Sequence, residues 1–151
     1  MTSILRFRSA GLWFSVLLLA GCGSSNPTAP TTDFNSSPTT DFISLTSIVP
    51  AAGTALTIGD RVTFTAVVDC TIVSSNGGFA AMVIQDHRNI TLMEVGEIQP
   101  QATLTRGRTT VTLSHTVTIP ATANTVRVAL PLFINESNST RAVVTRDYTV
   151  R

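Results

Sequence analysis

Val62-Thr63-Phe64-Thr65-Ala66-Val67-Val68-Asp69-Cys70-Thr71-Ile72 is the stretch whose reading decides the fold. Val62, Phe64, Ala66, Val68, Cys70 and Ile72 occupy one side of a period of two, and Thr63, Thr65, Asp69 and Thr71 the other. Successive side chains of a strand point to opposite faces, so this pattern is a strand with one face in a core and one in water. Thr109 to Ile119 repeats it, with Val111, Leu113, Val117 and Ile119 on the core side and Thr110, Thr112, Thr116 and Thr118 opposite, until Pro120 ends the run.

Shorter apolar runs fill the rest of residues 43–151. Ile43 to Val49 is a first strand, broken by Pro50 and Gly53, and Leu56-Thr57-Ile58-Gly59-Asp60 turns the chain into the second. Ser74-Ser75-Asn76-Gly77-Gly78 predicts a turn, either a tight hairpin at Asn-Gly or an arch between sheets. Phe79 to Gln85 is a third strand, Asp86-His87-Arg88-Asn89 its polar tip, and Ile90 to Val95 a returning fourth. A loop rich in Gly, Pro and Gln leads to the Thr109–Ile119 strand. Val126 to Ile134 and Arg141 to Val150 follow, joined by the loop Asn135 to Ser139. Seven short strands, with no helical period, predict an all-β, two-layer antiparallel sandwich. Pro131 should keep its own strand from pairing with another chain at a sheet edge.

Pro50, Gly53, Leu56, Gly59-Asp60, Val62 and Phe64 also resemble the opening of immunoglobulin-like and fibronectin type III-like modules of bacterial surface proteins. That resemblance implies an immunoglobulin-like β-sandwich of about seven strands. The Cys and Trp set of antibody domains is absent.

Upstream, the chain changes character twice. Arg6 and Arg8 precede an apolar run from Ala10 to Ala20, the layout of an export signal. As a helix it would be roughly 16 Å long, about half of a bilayer's hydrocarbon core. It ends in Leu19-Ala20-Gly21-Cys22, which resembles the lipobox of bacterial lipoproteins. The resemblance implies a signal peptide at 1–21, cleavage after Gly21, and thioether attachment of a diacylglyceryl group to Cys22, often with acylation of the new amino terminus. Two or three long chains hold a protein on a membrane where one does not. Gly23 is not the Asp that retains such proteins at the inner membrane of enteric bacteria, so a membrane-anchored lipoprotein of the cell envelope, delivered to the outer membrane, is the expectation. Residues 22–42 are rich in Ser, Thr and Pro and form the expected flexible linker. Within it Pro30 to Phe34 recurs as Pro38 to Phe42, a near-repeat that slippage of low-complexity sequence explains.

Composition excludes several functions. The 25 Thr and 15 Val favour strands. All ten basic residues are Arg and the net charge is +1, so no broad basic face exists for nucleic acid. Without residues 1–21 the eight remaining Arg meet nine acids, for a net charge of −1. No nucleophile elbow, zinc-protease, P-loop or dinucleotide motif occurs, and no catalytic residue, cofactor or metal site is expected. Ser114 and His115 are strand neighbours on opposite faces, hence no catalytic pair. Cys70 shares the parity of Phe64 and Val68 and is expected buried, and His115 is the one polar residue on the core face of its strand. Asp60, Asp69, Asp86, Glu94, Glu97 and Asp147 read as solvated turn and rim charges, without the D-x-D clustering of a calcium site.

The expected function is therefore a non-enzymatic structural, adhesive or protein-binding module, held to the membrane through Cys22 and acting through its loops on an envelope protein or glycan partner. The candidate binding loop is Asp86, His87, Arg88 and Asn89. A carbohydrate-binding or secretion-system accessory lipoprotein is the alternative. It would stack sugars on exposed rings, for which residues 22–151 offer five Phe and Tyr148.

Overall fold

The structure is a computed structural model that describes residues 40–135 and 139–151. The expected signal peptide, the expected lipobox Leu19 to Cys22 and the expected linker up to residue 39 lie outside the described residues. Six strands follow in order: β1 (Phe42–Val49), β2 (Arg61–Ala81), β3 (Val83–Asp86), β4 (Gln101–Thr118), β5 (Thr125–Ile134) and β6 (Thr140–Thr149). Every pairing between them is antiparallel.

Two long strands belong to both layers of the fold. Arg61 to Ile72 of β2 lies between β1 and the Gly107–Thr118 part of β4. Gly77 to Ala81, further along the same strand, pairs with Gln101–Thr105 of β4 and, through Gly78–Ala80, with β5. At the change of layer, residues 73–76 of β2 stand opposite residue 106 alone. Extra residues on one strand of a pair bend it. One layer is thus β1, β2 and β4; the other is β4, β2 continued by β3, then β5 and β6. Their inward faces form one core, from Phe64, Ala66, Val68, Cys70 and Ile72 on one side to Ala80, Met82, Ile84, Val126, Val128, Leu130, Leu132 and Ile134 on the other. Phe64 and Tyr148 meet edge to face across it, ring centroids 5.2 Å apart, and the Tyr148 hydroxyl donates to the Pro50 carbonyl at 2.7 Å. The chain is an immunoglobulin-like antiparallel β-sandwich, three strand segments on four.

Four details differ from the sequence expectation. The Ser74–Gly78 turn is absent: the strand runs on through these residues. A Cβ on Gly78 would sit 2.0 Å from the Phe133 carbonyl oxygen, and one on Gly77 2.7 Å from that of Leu104. The glycines serve close backbone approach where β2 passes between β4 and β5, and not a reversal. The fourth expected strand, Ile90 to Val95, is a loop with one isolated bridge from Thr91 to Gln85. Only Leu92 of its apolar residues packs on the core, while Ile90, Met93 and Val95 are exposed, so no strand face is paid for by burial. β4 begins at Gln101, eight residues before the expected Thr109. Finally, Pro131 is on no edge, since β5 lies between β2/β3 and β6. Ala80 faces Leu132 and Val83 faces Ala129 in one unbroken register, which places Pro131 opposite Ala81, the last residue of β2 before the break at Met82. The Met82 N–H points the other way, toward β4, and donates to the Pro100 carbonyl at 2.9 Å.

β1 opens at Phe42, and Asp41 before it accepts hydrogen bonds from the Val73 N–H (2.7 Å), the Ser74 N–H (3.0 Å) and the Ser74 hydroxyl. That carboxylate holds the first residue of the fold to the bend in β2. Burial works to raise its pKa, but the Ser74 and Val73 hydrogen bonds and the Arg141 charge outweigh burial and leave it lowered.

Candidate binding site

β3 ends at Asp86, where the chain must turn away from β5. The Asn89 N–H donates to the Asp86 carbonyl at 2.9 Å, and the Asp86 N–H to the Ile90 carbonyl at 3.0 Å, which closes the turn. Asn89 holds φ at +62°, a left-handed conformation that Asn tolerates better than most residues. Asp86 is 2% exposed and every bond it makes is internal. Its Oδ1 accepts from the Arg88 N–H (2.8 Å) and the Ile90 N–H (3.0 Å), and its Oδ2 from the Arg88 Nε (2.9 Å) and Nη2 (2.8 Å). Burial pushes this carboxyl upward. The four donors and the Arg88 charge overcome that and set its pKa below the ordinary value. Arg88 Nη2 also donates to the Thr122 hydroxyl at 3.1 Å, tying the turn to the β4–β5 connection.

The candidate loop therefore divides. Asp86 is the buried peg of the turn, not a solvated rim charge, and Arg88 is its clamp. His87 and Asn89 are exposed. Beside them is a cavity of about 260 Å³ lined by Asp86, His87, Asn89, Thr125, Arg127 and Asp147. Arg127 and Asp147 stand directly opposite on β5 and β6 and form a two-pronged pair, Nε to Oδ1 at 2.8 Å and Nη2 to Oδ2 at 3.1 Å. Arg127's hydrogen bonds lower the Asp147 pKa against the effect of burial, and Asp147 raises that of Arg127.

Sequence reasoning passed over Thr125 and Arg127 and read Asp147 only as a rim charge. A signal for two of them existed. Arg127 and Asp147 are equally far from residue 137, the middle of the Asn135–Ser139 loop, so a simple hairpin puts them face to face.

Both carboxylates in the cavity are already engaged by guanidinium groups, and its lining holds no serine or cysteine. The side chains free to meet a ligand are the His87 imidazole and the Asn89 amide, with polar donors at the wall. These groups can dock a polar group through hydrogen bonds.

Cys70 lies elsewhere, 1% exposed, its thiol pushed up to about 11 by burial and by the Asp69 charge. His115 is 8% exposed; its Nε2 is 3.8 Å from Glu97 Oε2 and has no hydrogen bond among the described residues. No group of three or more His, Cys, Asp or Glu that could hold a metal ion occurs among the described residues. None of the described aromatic side chains is fully exposed: Phe64 and Tyr148 are core, and Phe79 and Phe133 stack on each other at 4.6 Å.

No protein-family model and no curated protein matches the sequence. Among solved structures the chain is similar to the CARDB domain of the PF1109 protein from Pyrococcus furiosus, whose crystal structure is in complex with di-metal ions. The identity is 12% and the TM-score 0.38, over 74% of this chain and 86% of that one. At that distance no site or ligand passes from one protein to the other.

Proposed function

We propose that this chain is a lipid-anchored, non-enzymatic module of the cell envelope that docks a protein partner through the His87 and Asn89 side of the β3 turn. The observation that carries the docking surface is the cavity beside that turn. At about 260 Å³ it falls below the roughly 300–1,000 Å³ of small-molecule sites. That size suits one projecting polar side chain of a partner, held by an internally braced turn that loses little freedom on binding.

The anchor rests on Leu19-Ala20-Gly21-Cys22 after the apolar run. Growth on tagged palmitate should label the wild-type chain and leave Cys22→Ser unlabelled; an unlabelled wild type ends this part of the reading. Crosslinking from intact envelopes, with wild type and a His87→Ala/Asn89→Ala double variant as baits, tests the docking surface. A partner captured by the wild type and lost with the double variant supports it, and identical captures refute it.

A further inference from the structure

We propose that two copies of this chain pair antiparallel through β4, in the register that sets Thr112 of one copy opposite Thr112 of the other. β4 is eighteen residues long, and among the described residues its one strand partner is β2. One whole side of its backbone is therefore an open edge in both layers. Natural sheets blunt such edges with bulges, Pro, Lys or charges. β1 has a bulge between Leu45 and Ser47, and β6 carries exposed Arg141, Arg146 and Asp147. From Thr109 to Thr118 β4 has no Pro, no Lys and no Asp, Glu or Arg; its solvent face is Thr110, Thr112, Ser114, Thr116 and Thr118. An edge of that kind is a template for another strand.

Charge selects a second copy as the occupant and fixes the register. Arg106 and Arg108 stand at one end of the Gly107–Thr118 segment. Arg106 has no ion-pair partner among the described residues, and Arg108, paired with Asp69, keeps a side chain that is 71% exposed. At the other end lie two acids of the β3–β4 loop. Glu94 lines a cavity with Val117 and Thr118 and is 4.0 Å from Arg61, which stands opposite Thr118, and Glu97 approaches His115, so this end carries two acids against one Arg. Antiparallel pairing about Thr112 puts residue 106 opposite 118 and 108 opposite 116. The basic end of each copy then meets the acidic end of the other, twice by symmetry. Pairing about Gly107 would instead set Arg106 against Arg108. Because opposed positions share parity, core faces core and threonine faces threonine across the junction. The same loop exposes Met93, Val95 and Ile98, apolar surface that gains from a covering neighbour.

The full chain, purified in detergent, tests this by cysteine pairing. Opposed residues of antiparallel strands have Cα atoms about 4.5–5.5 Å apart, within disulfide range. Thr112→Cys should form a disulfide-linked dimer on mild oxidation, while Thr110→Cys, whose partner position is 114, should not. The parent chain contains the same Cys22 and Cys70, so a band particular to T112C reports the register. In sedimentation, Arg106→Glu should weaken dimerisation at least about tenfold, and adding Glu94→Arg should restore it. All four positions are exposed, so a melt equal to the parent's shows that each variant folds. No T112C-specific dimer, equal linkage in T110C, or an R106E dimer as tight as the parent's would each overturn the proposal.

Discussion

The bend of β2 at residues 73–78 and the turn at Asp86–Asn89 both look like loops in the sequence, with Ser, Asn and Gly at one and Asp, His, Arg and Asn at the other. One is a buried crossing between layers and the other a surface turn. At the crossing Gly77 and Gly78 are buried, and the space their absent side chains leave is filled by the carbonyls of Leu104 and Phe133. In the turn the polar atoms satisfy each other, and two side chains remain for solvent. Small residues thus mark either a place where the chain reverses or one where two backbones nearly touch. What lies on each side of them decides between the two.

Substitutions at these two places should separate close approach from turn chemistry. Gly78→Ala should have the largest effect, about 3 kcal/mol or more of lost stability by chemical denaturation, because its neighbour is backbone and cannot swing aside. A hairpin glycine would tolerate the change far better, so a loss under about 1 kcal/mol would break the distinction. Gly77→Ala should cost less, on the order of 1–2 kcal/mol, since the nearest oxygen is 2.7 Å away.

For the turn, Asp86→Asn should lower the melting temperature by less than Gly78→Ala and change its pH dependence. The folded Asp86 carboxyl has a lowered pKa, so its contribution is complete above the ordinary carboxylate range and disappears as pH falls through the folded value. Wild type should therefore lose stability toward acid more steeply than D86N below about pH 4. Parallel acid limbs would show that the internal bonds of the turn contribute nothing. Asn89→Gly should have the smallest effect, within about 0.5 kcal/mol, because glycine adopts the same positive φ. Asn89→Val should cost about 1–2 kcal/mol at the same position.

Much of the architecture was legible in advance because alternation is a local signal. The core parity of Val62, Phe64, Ala66, Val68, Cys70 and Ile72 and that of Val111, Leu113, Val117 and Ile119 can be read from the residues alone; all are buried except Val62 and Val111, which are partly buried against the core. The expected strand at Ile90–Val95 fails for a matching reason. Its apolar residues do not alternate onto one face, and composition took the place of period. Half of the candidate site was legible as well. A polar run after Gln85 signals a turn, but the inward rotation of Asp86 depends on four donors that only the folded turn assembles.

By itself the sequence determined the all-β class and the inward faces of the long strands, because each depends on near neighbours in the chain. Tertiary structure alone decided that β2 and β4 cross between layers, that Pro131 lies on an interior strand opposite the last residue of β2, and that Arg127 and Asp147 join His87 and Asn89 around one cavity. These depend on which backbones come to lie side by side, and strand pairing between distant segments is set by the packing of the whole core.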